Sequence, residues 1–364
     1  MSLEQFDSQQ KILWHYDRVY KLFNNEIVYP VTIEIDPSNA CNEDCIWCCW
    51  KKYRENNKVM DWSLMEKIVC NLARVGVKGL IWTGGGEPLV NQNTTKGMRL
   101  AKNLGIENGM FTNGILMVPE IIPTIIECCE WIRISLGAAT PETFKKCHGT
   151  DDFQKIIENI REFVRVRKES GRNITIGLSM MVHPDNYHEL YEEAKIAKEL
   201  GVDYFQGKPL NQMGSENEDW WYQKVIPLFN KAKEELEDST FKILTTQYTL
   251  DKYGEKGASF LSGVNPNLEI PDEEKNKCYV HHFITSILAN GEVSFCKNLR
   301  DRKEFLLGNL NEQTIEEIWS SEKRKNIIEK IEREGCQTFC QSGYVNQILK
   351  KIKSPNKKKH PNFL

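Results

Sequence analysis

Four cysteines fall within the nine residues CNEDCIWCC, positions 41–49. Thiolates are soft ligands, and several in one short loop suit zinc or an iron–sulfur cluster. A closed zinc site asks for four ligands, often as paired C-x2-C arms far apart in the chain. Here the arrangement is Cys41-x3-Cys45-x2-Cys48, with Cys49 directly behind. Adjacent residues point in diverging directions, so Cys48 and Cys49 seldom bind one metal together. Three thiolates on a 4Fe–4S cube leave one iron without a protein ligand, open to a small chelating molecule. Cys49 is then the spare thiol.

The other cysteines divide into two kinds. Cys278, Cys296, Cys336 and Cys340 form a second late set, the last two spaced x3. Cys70 lies in the amphipathic run SLMEKIVCNLARV and reads as core, as do Cys128 and Cys129 at the end of IIPTIIECC. MSLEQFDSQQ is not a signal peptide, and no apolar run approaches bilayer-spanning length. The expected compartment is the reducing cytoplasm, where 12 cysteines serve as ligands, catalytic groups or small hydrophobes rather than disulfides. A net charge of −3 argues against nucleic acid as the main partner. The basic stretch KKIKSPNKKKH, residues 350–360, reads as a solvated terminal segment.

The elements that must position these groups follow from periodicity. Strands are expected at 31–36, 79–83, 109–112, 131–136, 174–182 and 202–207, all β-branched or aromatic runs of buried-strand length. Helices are expected over roughly 94–104, 118–129, 152–169 and 187–200, with another opened by a Ser63–Glu66 capping box whose apolar face is Met65, Ile68, Val69, Leu72 and Val75. Repeated β-then-α order implies a parallel sheet, either doubly wound or an incomplete barrel. In both, ligands bind at the carboxyl ends of the strands. The cysteine loop follows the first strand, Gly84-Gly85-Gly86-Glu87-Pro88 the second and Thr112-Asn113-Gly114 the third, while Ser135 closes the fourth. All four converge on one mouth. Residues 1–30 are expected to add a helix, with Trp14, Tyr16, Tyr20 and Leu22 available for packing, and 213–277 a helix and a polar linker. FITSILANGEVSFC reads as a β-hairpin turning at Asn290-Gly291.

With these residues in view, the chain resembles the radical S-adenosylmethionine (radical SAM) superfamily, whose motif is Cys-x3-Cys-x-aromatic-Cys. Trp47 fills the aromatic position. The resemblance implies a partial (β/α)6 TIM-type barrel over 31–212, with Cys41, Cys45 and Cys48 on a 4Fe–4S cluster whose fourth iron is chelated by SAM. Reductive cleavage of SAM then yields a 5′-deoxyadenosyl radical that takes hydrogen from substrate. By the same resemblance Gly85, Gly86 and Glu87 approach the methionyl amino group, and Asn113, Ser135 and Ser179 are cosubstrate contacts. Many relatives carry an acidic residue where Gly137 stands here. Two weak catalytic candidates remain: Lys208 after the sixth strand, for an anion of substrate or SAM, and Cys147, otherwise a packed thiol.

Residues 278–349 resemble the SPASM/Twitch extension of this superfamily. Four cysteines match one fully ligated auxiliary 4Fe–4S cluster in a small α+β domain, with zinc the alternative. His281 and His282, read as strand neighbours on opposite faces, are expected to be structural. A cluster with no open iron suits electron transfer. The expected activity is therefore oxidation or rearrangement of a small polar metabolite (sugar, aminocyclitol or nucleotide-like), fed by a flavodoxin- or ferredoxin-like electron donor. A peptide-modifying enzyme of the same superfamily is the alternative. A non-catalytic zinc- or cluster-stabilised interaction protein would explain the cysteines but not TGGGEP and TNG.

Overall fold

The computed structural model describes residues 11–51, 57–209, 218–245, 272–300, 302–336 and 342–354. In chain order the elements are α1 (Tyr16–Phe23), β1 (Thr32–Ile35), α2 (Trp62–Arg74), β2 (Gly79–Trp82), α3 (Thr94–Asn103), β3 (Glu107–Thr112), α4 (Ile122–Cys128), β4 (Cys129–Ser135), α5 (Pro141–His148), α6 (Phe153–Ser170), β5 (Thr175–Val182), α7 (Leu190–Leu200) and β6 (Tyr204–Pro209). Next come α8 (Ile226–Leu236), β7 (Lys242–Thr245), β8 (Ile284–Ile287), β9 (Glu292–Ser294), β10 (Leu306–Asn309), α9 (Ile315–Ser320), α10 (Glu322–Glu334) and α11 (Gly343–Lys353). One ten-stranded sheet takes the order β10-β9-β8-β1-β2-β3-β4-β5-β6-β7. It is parallel from β8 through β7, and β9 and β10 fold back antiparallel. Both ends stay open, which makes a partial barrel rather than a closed one.

The pleat sorts the side chains. Ile33, Ile35, Leu80, Trp82, Met110, Ile132, Ile134, Ile176, Leu178, Met180 and Phe205 join the core cluster shared with the helices. Each fully buried aliphatic side chain contributes about 1.5–3 kcal/mol. The alternate positions, among them Glu34, Phe111, Arg133, Ser135, Ser179, Gln206 and Lys208, turn to the concave interior.

All six expected strands form, and the hairpin turns at Gly291, whose φ is +85°. Several local expectations are corrected. A seventh parallel strand, β7, pairs with β6; its four residues carry too little pattern to be seen in sequence. The N-cap of α2 is Asp61, whose carboxylate accepts from Leu64 N at 2.8 Å, in place of a box at Ser63. Cys70 is exposed, because its position on α2 falls outside the Leu64, Met65, Ile68, Val69, Leu72 face. The helix expected over 118–129 runs only Ile122–Cys128, and Cys129 begins β4. Trp14, Tyr16 and Tyr20 stand 70–76% exposed, while Ile12, Val19, Val28 and Val31 do the packing, with Phe283 and Leu349 from the other end of the chain. The basic stretch begins inside α11, and Lys350 is buried, donating Nζ to the Lys275 carbonyl at 2.7 Å.

His281 and His282 lie in a 3-10 turn and not a strand. Their rings sit 4.0 Å apart, and both Nδ1 atoms face the Arg324 guanidinium, at 3.4 and 2.9 Å. Burial holds both histidines well below their ordinary range. Uncharged, they can accept from the arginine.

Candidate active site

The cysteine loop is fastened from three sides. Leaving β1, the chain runs along the glycine turn after β2: Gly85 N donates to Asp36 Oδ2 at 3.2 Å, Gly86 N to the Ser38 carbonyl at 3.1 Å and Glu87 N to the Ala40 carbonyl at 2.9 Å. A Cβ on Gly86 would lie 2.0 Å from the Ala40 oxygen, so only glycine allows this approach. On the far side Asp44 N and Ile46 N donate to the carbonyls of His148 and Cys147, both at 2.9 Å. From β3, Asn113 Nδ2 donates to Asn42 Oδ1 at 2.8 Å.

Cys41, Cys45 and Cys48 are half-buried, and Cys49 is exposed. The Cys45 thiol lies 3.3 Å from Glu43 Oε2 and 3.4 Å from His148 Nδ1, and those two atoms are 3.2 Å apart. Burial pushes the Cys45 thiol far up, and Glu43, Cys41 and Cys48 push the same way. The three motif thiols thus lie within electrostatic reach of one another. A thiol so reluctant to ionise alone is deprotonated outright on coordinating a metal. Asn42 Nδ2, a buried donor with no further acceptor among the described residues, suits an anionic sulfide-rich group beside it. The donor set therefore fits a thiolate-held iron–sulfur cluster. Trp47 packs edge-on against His148 at 5.2 Å and lies 5.9 Å from His183. Gly137 makes the room, since a Cβ there would stand 2.6 Å from His148 Nε2 at a φ of +71°.

The remaining strand-end residues divide by role. Glu87 is buried and ties β2 to β3: its carboxylate accepts from Thr112 Oγ1 at 2.6 Å, Asn113 N at 2.8 Å and Leu89 N at 3.1 Å. Burial lifts this carboxyl to about 7, against the pull of those three donors. With the N–H groups of Gly85, Gly86 and Glu87 all engaged, the turn has only carbonyl acceptors to offer a ligand. Ser135 and Ser179 are register partners on β4 and β5, and Ser179 pairs onward with Gln206 on β6. Cys147 is buried within α5, and burial raises its thiol to about 11.

Below this mouth the interior is charged. Arg133 donates Nε to Tyr204 Oη at 2.9 Å, a contact opened by Gly177, where a Cβ would lie 2.1 Å from the tyrosine ring. Arg133 and Lys208 both approach the Phe111 ring, at 5.0 and 5.9 Å from its centroid. Burial, then Arg133 and Lys297, hold the Lys208 ammonium well below the lysine range. From the C-terminal region, Arg300 grips Asp36 through Nη1 at 2.8 and 3.0 Å and lies 3.8 Å from Glu34, while Lys297 stands 3.5 Å from Glu34. Trp50 covers the Arg300 guanidinium at 4.1 Å. Asp36, Arg300, Lys297, Arg133 and His148 had no signal in sequence, because each pairs across the fold.

The described late cysteines lie on segments that adjoin. Cys278 and Cys296 are half-buried beside the main core, and Cys336 is exposed just after α10. Cys336 lines a cavity of about 210 Å³ with Leu299, whose N–H donates to the Cys296 carbonyl at 2.9 Å. A Cβ on Gly335 would meet Asn276 Oδ1 at 3.4 Å, which places the Cys278 and Cys336 segments side by side. Cys340 lies outside the described residues.

Comparison with known proteins agrees with this geometry. The radical SAM superfamily pattern matches residues 35–197, and that of SPASM, an iron–sulfur cluster-binding domain, matches 278–342. A probable GTP 3′,8-cyclase of Saccharolobus islandicus is 27% identical over 186 residues, 50% of this chain and 58% of that protein. A tungsten-containing aldehyde ferredoxin oxidoreductase cofactor-modifying protein of Pyrococcus furiosus is 26% identical over 176 residues, 46% of this chain and 48% of its own length. The chain thus spans about half the length of the curated relatives it matches. Streptococcus suis SuiB bound to S-adenosylmethionine shares the fold, with a TM-score of 0.64 at 17% identity over 94% of this chain and 78% of that one. Among the described residues no helix is long and apolar enough to cross a membrane. A thiolate loop at the mouth of a partial barrel, the glycine turn beneath it and a late cysteine set all lead to one assignment: the chain carries a radical SAM domain over residues 35–197, of the superfamily whose cofactors are 4Fe–4S clusters and S-adenosylmethionine, and a SPASM domain over 278–342.

Proposed function

We propose that Cys41, Cys45 and Cys48 hold the cluster that binds S-adenosylmethionine, and that the enzyme oxidises or rearranges a small polar metabolite seated in the barrel interior. The observation that carries this reading is the loop itself, which is fastened by hydrogen bonds to α5, to the glycine turn and to Asn113 just past β3. When bound, the cluster and cosubstrate supply a 5′-deoxyadenosyl radical that abstracts hydrogen from substrate. The chain's own part is binding and orientation. The carbonyls of the Gly85–Gly86 turn accept from the methionyl ammonium, Ser135, Ser179 and Asn113 lie within the same mouth, and Trp47 walls it. Cys278, Cys296, Cys336 and Cys340 would hold the auxiliary cluster, which would supply electron transfer, and a flavodoxin- or ferredoxin-like donor would supply the reducing electron.

A polar substrate is supported by the charged interior of Glu34, Arg133, Lys208 and Lys297. The nucleotide in the name of the archaeal relative belongs to that class. The test is transfer of deuterium from labelled candidates into 5′-deoxyadenosine by anaerobically reconstituted protein. Label arriving from a sugar, aminocyclitol or nucleotide supports the reading. Label arriving only from a peptide would replace the substrate class, and no cleavage of S-adenosylmethionine would sink the whole assignment.

A further inference from the structure

Among the described residues, charges in the barrel interior do not balance. Glu34 is shared by Lys297 at 3.5 Å and Arg300 at 3.8 Å, and Asp36 is taken by Arg300. Arg133 and Lys208, on neighbouring sides of the Phe111 ring, have no carboxylate within ion-pair distance among the described residues. A half-buried cation without a counter-charge is costly, and two facing one space cost more. Their persistence calls for a ligand that supplies negative charge. The surroundings are built for one. Arg133 is fixed by Tyr204 Oη and cannot swing to solvent without breaking that bond, and Phe111 and Tyr204 exclude water from its flanks. Ser286 Oγ, the register neighbour of Glu34, is a buried hydroxyl with no hydrogen-bond partner among the described residues, and it can donate to an anion.

The geometry points to Arg133 and Lys208 as the recognition pair for an oxyanion group, a carboxylate or phosphate, on the substrate. This narrows the substrate class of the function proposed above, and it rests on that reading. An oxyanion between the two cations accepts charge-assisted hydrogen bonds from both and holds the rest of the molecule against Phe111, beneath the mouth. Glu34 limits the site to one such group, since a second anion would face its carboxylate. The low-lying Lys208 ammonium is consistent with a cation awaiting its partner: an anion at hand draws the lysine back to its charged form.

The same chemistry has a second source, the carboxylate of S-adenosylmethionine, and the experiment separates the two. Full-chain protein, anaerobically reconstituted, is titrated calorimetrically with inorganic phosphate and, separately, with acetate. The inference expects single-site binding of at least one anion, weakened about ten-fold or more in Lys208→Gln and in Arg133→Gln and recovered in Lys208→Arg. Because Arg133 also holds Tyr204, Lys208→Gln with its Lys208→Arg recovery carries the test if the Arg133 variant fails to fold. Binding that persists with saturating S-adenosylmethionine assigns the site to substrate, and displacement by it overturns that assignment. Absence of binding, or variants that bind as the parent does, overturns it too. Cleavage of S-adenosylmethionine measured in the same preparation keeps the two readings apart: cleavage without anion binding removes only this inference.

Discussion

The two cysteine sets sit in differently made surroundings. Around Cys41, Cys45 and Cys48 the protein supplies the shape: main-chain bonds reach the loop from α5 and the glycine turn, and Asn113 reaches it from β3. Around Cys278, Cys296 and Cys336 the segments are distant in the chain: Asn346 of α11 holds the Cys278 segment, accepting from Tyr279 N at 2.7 Å and donating to the Lys277 carbonyl at 3.0 Å, and Cys336 is exposed. The first site has its form from secondary structure already present. At the second, the proposed cluster would close long loops, where chain entropy is the opposing cost. A pre-shaped site suits a cluster that must keep one vertex open to a cosubstrate. A site closed by its metal suits a fully ligated cluster that only passes electrons.

The sharpest way to break this contrast is to remove one thiol from each set. Cys45→Ala should lower cleavage of S-adenosylmethionine by about 1000-fold or more, while the far-ultraviolet circular dichroism stays that of the parent. Cys296→Ala should remove about four irons and also expose the C-terminal region to protease, because there the metal is part of the fold. Equal protease resistance in the two variants would erase the distinction.

The link between the regions comes next. Arg300, from the SPASM side, closes on Asp36 beneath the glycine turn. Removing one partner of a buried pair leaves the other charge stranded, so Arg300→Gln should cost about 3–5 kcal/mol in urea unfolding. Asp36→Asn with Arg300→Gln together should cost less than the sum of the two single changes. Additive losses would mean that the regions are not coupled through this pair.

A smaller effect sharpens the account of the N-terminal site. Burial lifts the Glu87 carboxyl to about 7, above its ordinary value near 4.5. The folded state therefore binds more protons than the unfolded one between those values, and stability from this group is full below about 4.5 and fades as pH rises through about 7. The loss is about 3 kcal/mol at most. Thermal unfolding of Glu87→Gln should lack this slope, and an identical pH profile would rule it out. Smallest of all, Cys70→Ser on the exposed face of α2 should leave iron content alone and shift stability by no more than about 0.5 kcal/mol.

Which features were legible depended on how local their physics is. Six strands, the five helices expected between them and the Asn290-Gly291 turn could be read because pattern and turn chemistry act over a few residues. Cys70 lies in an amphipathic run, and the face it occupies is decided by where α2 meets the sheet. Trp14, Tyr16 and Tyr20 were expected to pack, and the packing went to smaller aliphatic residues nearby.

By itself the sequence determined the thiolate spacing, the glycine turn and the alternation that must place both at one end of a parallel sheet, because each is a property of neighbouring residues. Only the tertiary structure decided that Asp36 answers Arg300 across the molecule, that His148 lies against Cys45, and that Arg133 and Lys208 share the Phe111 ring. Burial and charge pairing are set by which distant segments meet, and no run of adjacent residues carries that information.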